Sequence, residues 1–134
     1  MSGIDQFFIV EEEEYRNGDT IFREGSPTDW LYVVLKGQVK VQKNTAEGLV
    51  TVATLKEGDF LGELAFLETG KVRRSASAVA VGEVRLGVLD RDRLEREYNS
   101  LSPDFRKVIL TLVHRLRATT ERATRLAAQA RQPS

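Results

Sequence analysis

The sequence has no cysteine, so neither a disulfide framework nor thiolate chemistry is open to it. It has one histidine, His114. A cupin-like metalloenzyme draws several His and carboxylate ligands from its barrel, and a lone imidazole supplies no such set. No metal is expected, and His114 reads as a helix-surface residue. No apolar run approaches the ~18 residues that a membrane helix needs, and the N-terminus lacks the basic-then-apolar pattern of a signal peptide. A cytoplasmic location away from membranes is the expectation. Net charge is absent too: Lys+Arg and Asp+Glu stand at 20 each, so no global field favours nucleic acid or membrane. Nothing resembles a nucleophile–base pair or a Walker loop. The chain is expected to bind rather than to catalyse.

What is present suits one small domain. The 134 residues, 41% hydrophobic and 30% charged, can bury a single core with one or two helices. Thr20 to Arg23, Leu31 to Leu35, Val39 to Val41, Val50 to Leu55 and Ala76 to Val81 are rich in β-formers. Asn17-Gly18-Asp19, Glu24-Gly25-Ser26-Pro27, Lys36-Gly37, Glu47-Gly48 and Glu57-Gly58-Asp59 separate them as turns. Short strands with no long helix between them predict an antiparallel sandwich, roll or barrel. The acidic run Glu11 to Glu14 reads as a solvated face, and Trp30 as core or sheet cover.

The pattern changes after Leu89. Arg91 to Tyr98 predicts a short charged helix. Ser102 is placed to cap a second one, with Pro103 at its first position. Phe105, Ile109, Leu112, Leu116, Thr119, Ala123, Leu126 and Ala130 then recur with 4-3 spacing, the seam of a helix that packs along a partner. The division is residues 1–100 as a roll with short flanking helices and 101–134 as a C-terminal helix for dimerisation and output.

The chemistry concentrates in Gly58-Asp59-Phe60-Leu61-Gly62-Glu63-Leu64-Ala65-Phe66-Leu67 and Arg73-Arg74-Ser75-Ala76-Ser77. A helical turn with free amides attracts anions, and a nearby Arg offers a fork of donors to phosphate. Glu63 can accept from a sugar hydroxyl. Together they suit a ribose joined to an anionic phosphate.

These residues resemble the phosphate-binding cassette of the cyclic-nucleotide-binding domain family, and more closely its bacterial, catabolite activator protein type. Gly62-Glu63-Leu64-Ala65 and Arg74-Ser75-Ala76 match the cassette. Gly18, Ile21-Phe22-Arg23-Glu24-Gly25, Leu31-Tyr32, Gly37-Gln38-Val39-Lys40-Val41 and Gly58-Asp59-Phe60 match flanking landmarks.

The resemblance implies a jelly-roll-like, eight-stranded β-roll that binds a cyclic mononucleotide in signal transduction, with cAMP expected over cGMP. Glu63 would take the ribose 2′-hydroxyl. Arg74 would pair with the phosphate, helped by Ser75 and the amides of Leu64 and Ala65, and Val41 and Val52 would wall the sugar or base. The family places proline before its arginine where this chain has Val72-Arg73-Arg74, so a register shift of one would give the role to Arg73. His114 to Glu121 resembles that type's dimerisation helix, in which adjacent hydroxyls reach the adenine amino group. Thr119 and Thr120 stand there. Threonine at a seam position can also simply tune packing.

Two other readings stay open. A transcription regulator would need a helix-turn-helix beyond the C-terminal helix, and only eight residues follow Leu126. DNA binding by this chain alone is not expected, unless it is a fragment of a longer protein. A degenerate roll would serve only for dimerisation or docking.

Overall fold

The computed structural model describes residues 9–27, 30–62, 74 and 76–130. Six strands run in sequence as β1 (Ile9–Tyr15), β2 (Thr20–Phe22), β3 (Tyr32–Thr45), β4 (Gly48–Leu55), β5 (Phe60–Leu61) and β6 (Ser77–Leu89). Two helices follow, α1 (Arg91–Asn99) and α2 (Pro103–Ala130). All the pairings are antiparallel. The sheet order is β1-β6-β3-β4, with β2 added to β6 and β5 to β3. This is the expected antiparallel roll followed by a long C-terminal helix.

The core follows from the period-2 alternation of strand side chains. On β6, Ala78, Ala80, Val84, Leu86 and Val88 face inward and meet Tyr32, Val34 and Val39 of β3 and Leu61 of β5. Val33 and Leu89 point the other way, join Leu31, and are covered by Ile9 and by Leu94 of α1. Asp90 caps α1 by accepting from the Arg93 amide at 3.2 Å. Ser102 caps α2, its hydroxyl accepting from the Phe105 amide at 3.1 Å. That is the start the Ser-Pro-Asp triplet predicts.

Two expectations need correction. Lys36-Gly37 is no turn: β3 runs straight through it and pairs with β6 on both sides. The ladder jumps from Lys36↔Arg85 to Gln38↔Val81, and Gly37 takes a φ of 88°. A Cβ there would run into the Glu83 carbonyl oxygen, so glycine marks a bulge, which bends and twists a strand without ending it. For the same reason the described residues form six strands rather than eight; counted as straight segments, β3 and β6 each supply two. The acidic run is the solvated face expected of it and also a sheet edge: Glu11 to Glu14 lie in β1 opposite Val88 to Arg85, with Glu11, Glu12 and Glu14 exposed.

Helix α2 lies against β4. Its buried residues are Val113, Thr124 and Ala128. The seam read from the sequence turns elsewhere: Phe105, Leu112, Leu116 and Leu126 are exposed, as is Val108 beside them. Among the described residues, the roll therefore takes one face of the helix and leaves an apolar stripe exposed.

Leu86 is fully buried while Leu49, in the β3–β4 hairpin, is 46% exposed. Leu86→Ala is expected to lower unfolding free energy by about 2–5 kcal/mol, and Leu49→Ala by less than about 0.5 kcal/mol. Denaturant titration of the two variants measures the contrast.

Candidate functional site

Arg74 is 3% exposed, and a guanidinium out of water needs its donors and its charge met. Its Nη2 donates to the Trp30 carbonyl at 2.7 Å, and its Nη1 makes a longer contact of 3.4 Å with the Gly62 carbonyl. Its carbon lies 4.1 Å from the centroid of the Phe22 ring. The backbone is fixed as well. The Arg74 amide donates to Ser26, and the Gly25 amide donates to Arg74, both at 2.8 Å. The turn Glu24-Gly25-Ser26 thus clamps the residue that carries the charge.

Gly62 owes its identity to this contact. Its φ is 91°, a region that side chains avoid. A Cβ on it would collide with the Arg74 Nη1 and come within 2.8 Å of the Trp30 carbonyl oxygen. Only glycine lets the chain pass so close to the guanidinium.

Around Arg74 the structure forms a cavity of about 240 Å³, close to the ~300 Å³ at the small end of ligand sites. Phe22, Val41, Lys43, Val52, Ala53, Leu55, Phe60, Leu61, Gly62, Arg74 and Ala76 line it from the roll, and Thr119, Thr120 and Ala123 from α2. Arg74 and Lys43 bring positive charge, the rest of the roll's wall is apolar, and α2 brings hydroxyls. Four site residues expected from sequence, Gly62, Arg74, Thr119 and Thr120, thus meet at one cavity, with Val41 and Val52 in its wall. Glu63, Leu64, Ala65, Ser75 and the alternative arginine, Arg73, lie outside the described residues.

A wider cleft of about 400 Å³ is lined by Glu14, Tyr15, Arg16, Lys36, Glu83, Val84 and Arg85. Its charges face one another: Lys36–Glu83 at 3.8 Å and Arg85–Glu14 at 3.1 Å. Such exposed pairs are ordinary surface. Volume alone does not locate the chemistry.

Electrostatics spread from the site into the core. Burial pushes the Tyr32 phenol up, and Glu13 adds to this, while the charge of Arg74 pulls it down. Burial, followed by a 2.6 Å hydrogen bond to Glu13, drives the Tyr15 phenol well above its usual range.

Sequence reasoning missed several residues. Trp30 is not core but 48% exposed, and it serves Arg74 through its backbone, which no sequence pattern reveals. Lys43 was readable, since it lies two residues beyond Val41 and so on the same strand face. Phe22 and Phe60 were noticed only as landmarks. His114 is exposed, as expected. Among the described residues no cluster of three metal-ligating side chains occurs, and no helix is long and apolar enough to cross a membrane.

The family model for the cyclic nucleotide-binding domain matches residues 12–100, and the chain belongs to that family. It is 33% identical over 112 residues to a CRP-like cAMP-activated global transcriptional regulator of Mycobacterium tuberculosis, covering 82% of this chain and 49% of that protein. A cAMP-dependent protein kinase regulatory subunit of Aspergillus niger is 40% identical over 83 residues, 62% of this chain and 19% of that one. Among solved structures, Thermus thermophilus catabolite activator protein superposes with a TM-score of 0.66 at 30% identity, covering 87% of this chain and 54% of that one. An EAL enzyme in its cAMP-bound form superposes at 0.74 with 25% identity, over 81% of this chain and 29% of that one. The chain spans about half the length of the mycobacterial regulator, and less of the kinase subunit.

Gly62→Ala forces a Cβ into both the guanidinium and the Trp30 carbonyl. It should cost more than the ~1 kcal/mol at which a compatible Gly→Ala exchange would instead stabilise. Gly58 also has positive φ but open space around it, so Gly58→Ala should cost less. Thermal melts of the two variants give the order.

Proposed function

We propose that this chain is a cyclic-nucleotide sensor module that binds cAMP in the Arg74 cavity and relays occupancy to α2. The observation that carries this reading is the meeting of a buried arginine from the roll with two threonines from the C-terminal helix at one apolar-walled cavity. A ligand that meets all of these must offer an anion to Arg74, polar groups to the threonines and an apolar or flat surface to the walls. A cyclic mononucleotide has that form.

In this reading Arg74 takes the cyclic phosphate through paired N–H donors, helped by Ser75 and the amides of Leu64 and Ala65. Glu63 takes the ribose 2′-hydroxyl, and Val41 and Val52 bear on the sugar or base. Thr119 and Thr120 accept from the adenine amino group. Guanine presents a carbonyl at that position, which a hydroxyl can meet by turning its proton. The base therefore separates by about 1–2 kcal/mol, tenfold to thirtyfold in favour of cAMP. Lys43 donates only, so it can meet the N7 acceptor that both purines share, which adds affinity without separating them.

The relay follows from position. Thr119 and Ala123 belong both to the cavity wall and to the 4-3 seam. Filling the cavity bears on the helix that carries the exposed stripe. A second copy of the chain packed along that stripe, helix against helix, would cover Phe105, Leu112, Leu116 and Leu126 and stand next to the ligand. The names of the relatives, a transcriptional regulator and a kinase regulatory subunit, fit a module whose output is a changed contact with another domain or protein.

Calorimetric titration with cAMP, cGMP and cyclic di-GMP tests the reading. cAMP should bind most tightly, and at 100 Kd it should stabilise the fold by about 2.7 kcal/mol. Arg74→Ala should weaken binding by about 2–5 kcal/mol, with Arg73→Ala far milder. Absence of binding by every cyclic nucleotide would reduce the roll to a docking piece, and the reverse order of the two arginine variants would move the phosphate site by one residue. For the helix, sedimentation at micromolar concentration should give a dimer that Leu116→Glu dissociates. A wild-type monomer that persists with cAMP present rejects the helix pairing.

A further inference from the structure

The guanidinium of Arg74 is held in two different directions. The carbonyls of Trp30 and Gly62 meet its N–H groups, 2.7 Å and 3.4 Å away, and hydrogen bonds of this kind lie in the plane of the group. They set where the fork points within its plane. The guanidinium carbon lies over the Phe22 ring, 4.1 Å from its centroid, where the attraction is between cation and π-electrons. A guanidinium stacked on an aromatic face has its plane set by the ring.

The ring is in turn well anchored. Phe22 sits at the end of β2, paired with Ala78 of β6. Its ring stacks on that of buried Tyr32, centroids 6.4 Å apart and planes 19° from parallel. Phe22 also lines the cavity beside Arg74.

We propose that Phe22 is a positioning residue for anion binding: it fixes the plane of the Arg74 guanidinium so that two N–H groups meet a phosphate together. This rests on the cyclic-nucleotide reading above and adds to it a residue from outside the cassette. A ring stabilises the cation through its face and takes no donor. Leucine fills similar space but has no π-face, so it leaves the plane free to turn.

The test compares Phe22→Leu with Phe22→Tyr by cAMP calorimetry below the melting temperature of each variant. Phe22→Leu should weaken cAMP about tenfold and Phe22→Tyr less than about twofold, a rescue that a role in packing alone would not give. Equal affinity of Phe22→Leu and wild type, or equal losses in the two variants, overturns the proposal while leaving the sensor reading intact. Wild type that binds no cyclic nucleotide sinks the sensor reading itself. Should Phe22→Leu not fold, the wild-type chain carries the test by NMR. The Arg74 side-chain protons over the ring should show an upfield ring-current shift that persists when cAMP is bound. Its loss on binding shows that the ring does not hold the group in the complex.

Discussion

Keeping an arginine at 3% exposure is the constraint around which this end of the molecule is organised. A charge withdrawn from water costs several kcal/mol unless its surroundings replace what water gave. The replacements around Arg74 come from distant parts of the chain: the Phe22 ring from β2, the Trp30 carbonyl ahead of β3, and the Gly62 carbonyl just after β5. Each must arrive within a few ångströms. The turn at Glu24-Gly25-Ser26 is bound to the Arg74 backbone, and Gly62 lacks the Cβ that would collide. In the proposed function, a cation already fixed in place needs little reordering to meet a phosphate, which lowers the cost of binding.

The roll supplies the rest of the geometry. Strands β3 and β6 are long enough to bend, and the bulge at Gly37 is where their ladder shifts. On one side of it Val33 and Leu89 pack under α1; on the other Val41 and Lys43 reach the cavity wall. Helix α2, laid on β4, completes that wall with Thr119, Thr120 and Ala123. One helix thus divides its surface between roll, cavity and an exposed apolar stripe.

Much of this was legible in the sequence because it rests on local chemistry. The glycine-punctuated β runs gave an antiparallel roll, and Ser102-Pro103-Asp104 gave the start of α2. The order Gly62-Glu63-Leu64-Ala65 then Arg74-Ser75-Ala76 gave the family. What was not legible depends on contacts between distant residues. Lys36-Gly37 has the composition of a turn, and only the Glu83 carbonyl pressed against it makes it a bulge. Trp30 contributes a backbone oxygen, and a backbone oxygen leaves no trace in residue type. The 4-3 seam of α2 was visible, but a seam does not say which face the roll takes, and here the roll takes Val113, Thr124 and Ala128 instead.

The central claim is that a cyclic nucleotide sits between Arg74 and the two threonines. A crystal structure of the chain grown with cAMP measures this most directly. The account predicts the cyclic phosphate within hydrogen-bond distance of both Arg74 Nη atoms, the base against Thr119 and Thr120, and the Phe22 ring still under the guanidinium. A nucleotide bound in the cleft between Lys36 and Arg85, or one whose phosphate points away from Arg74, would contradict it.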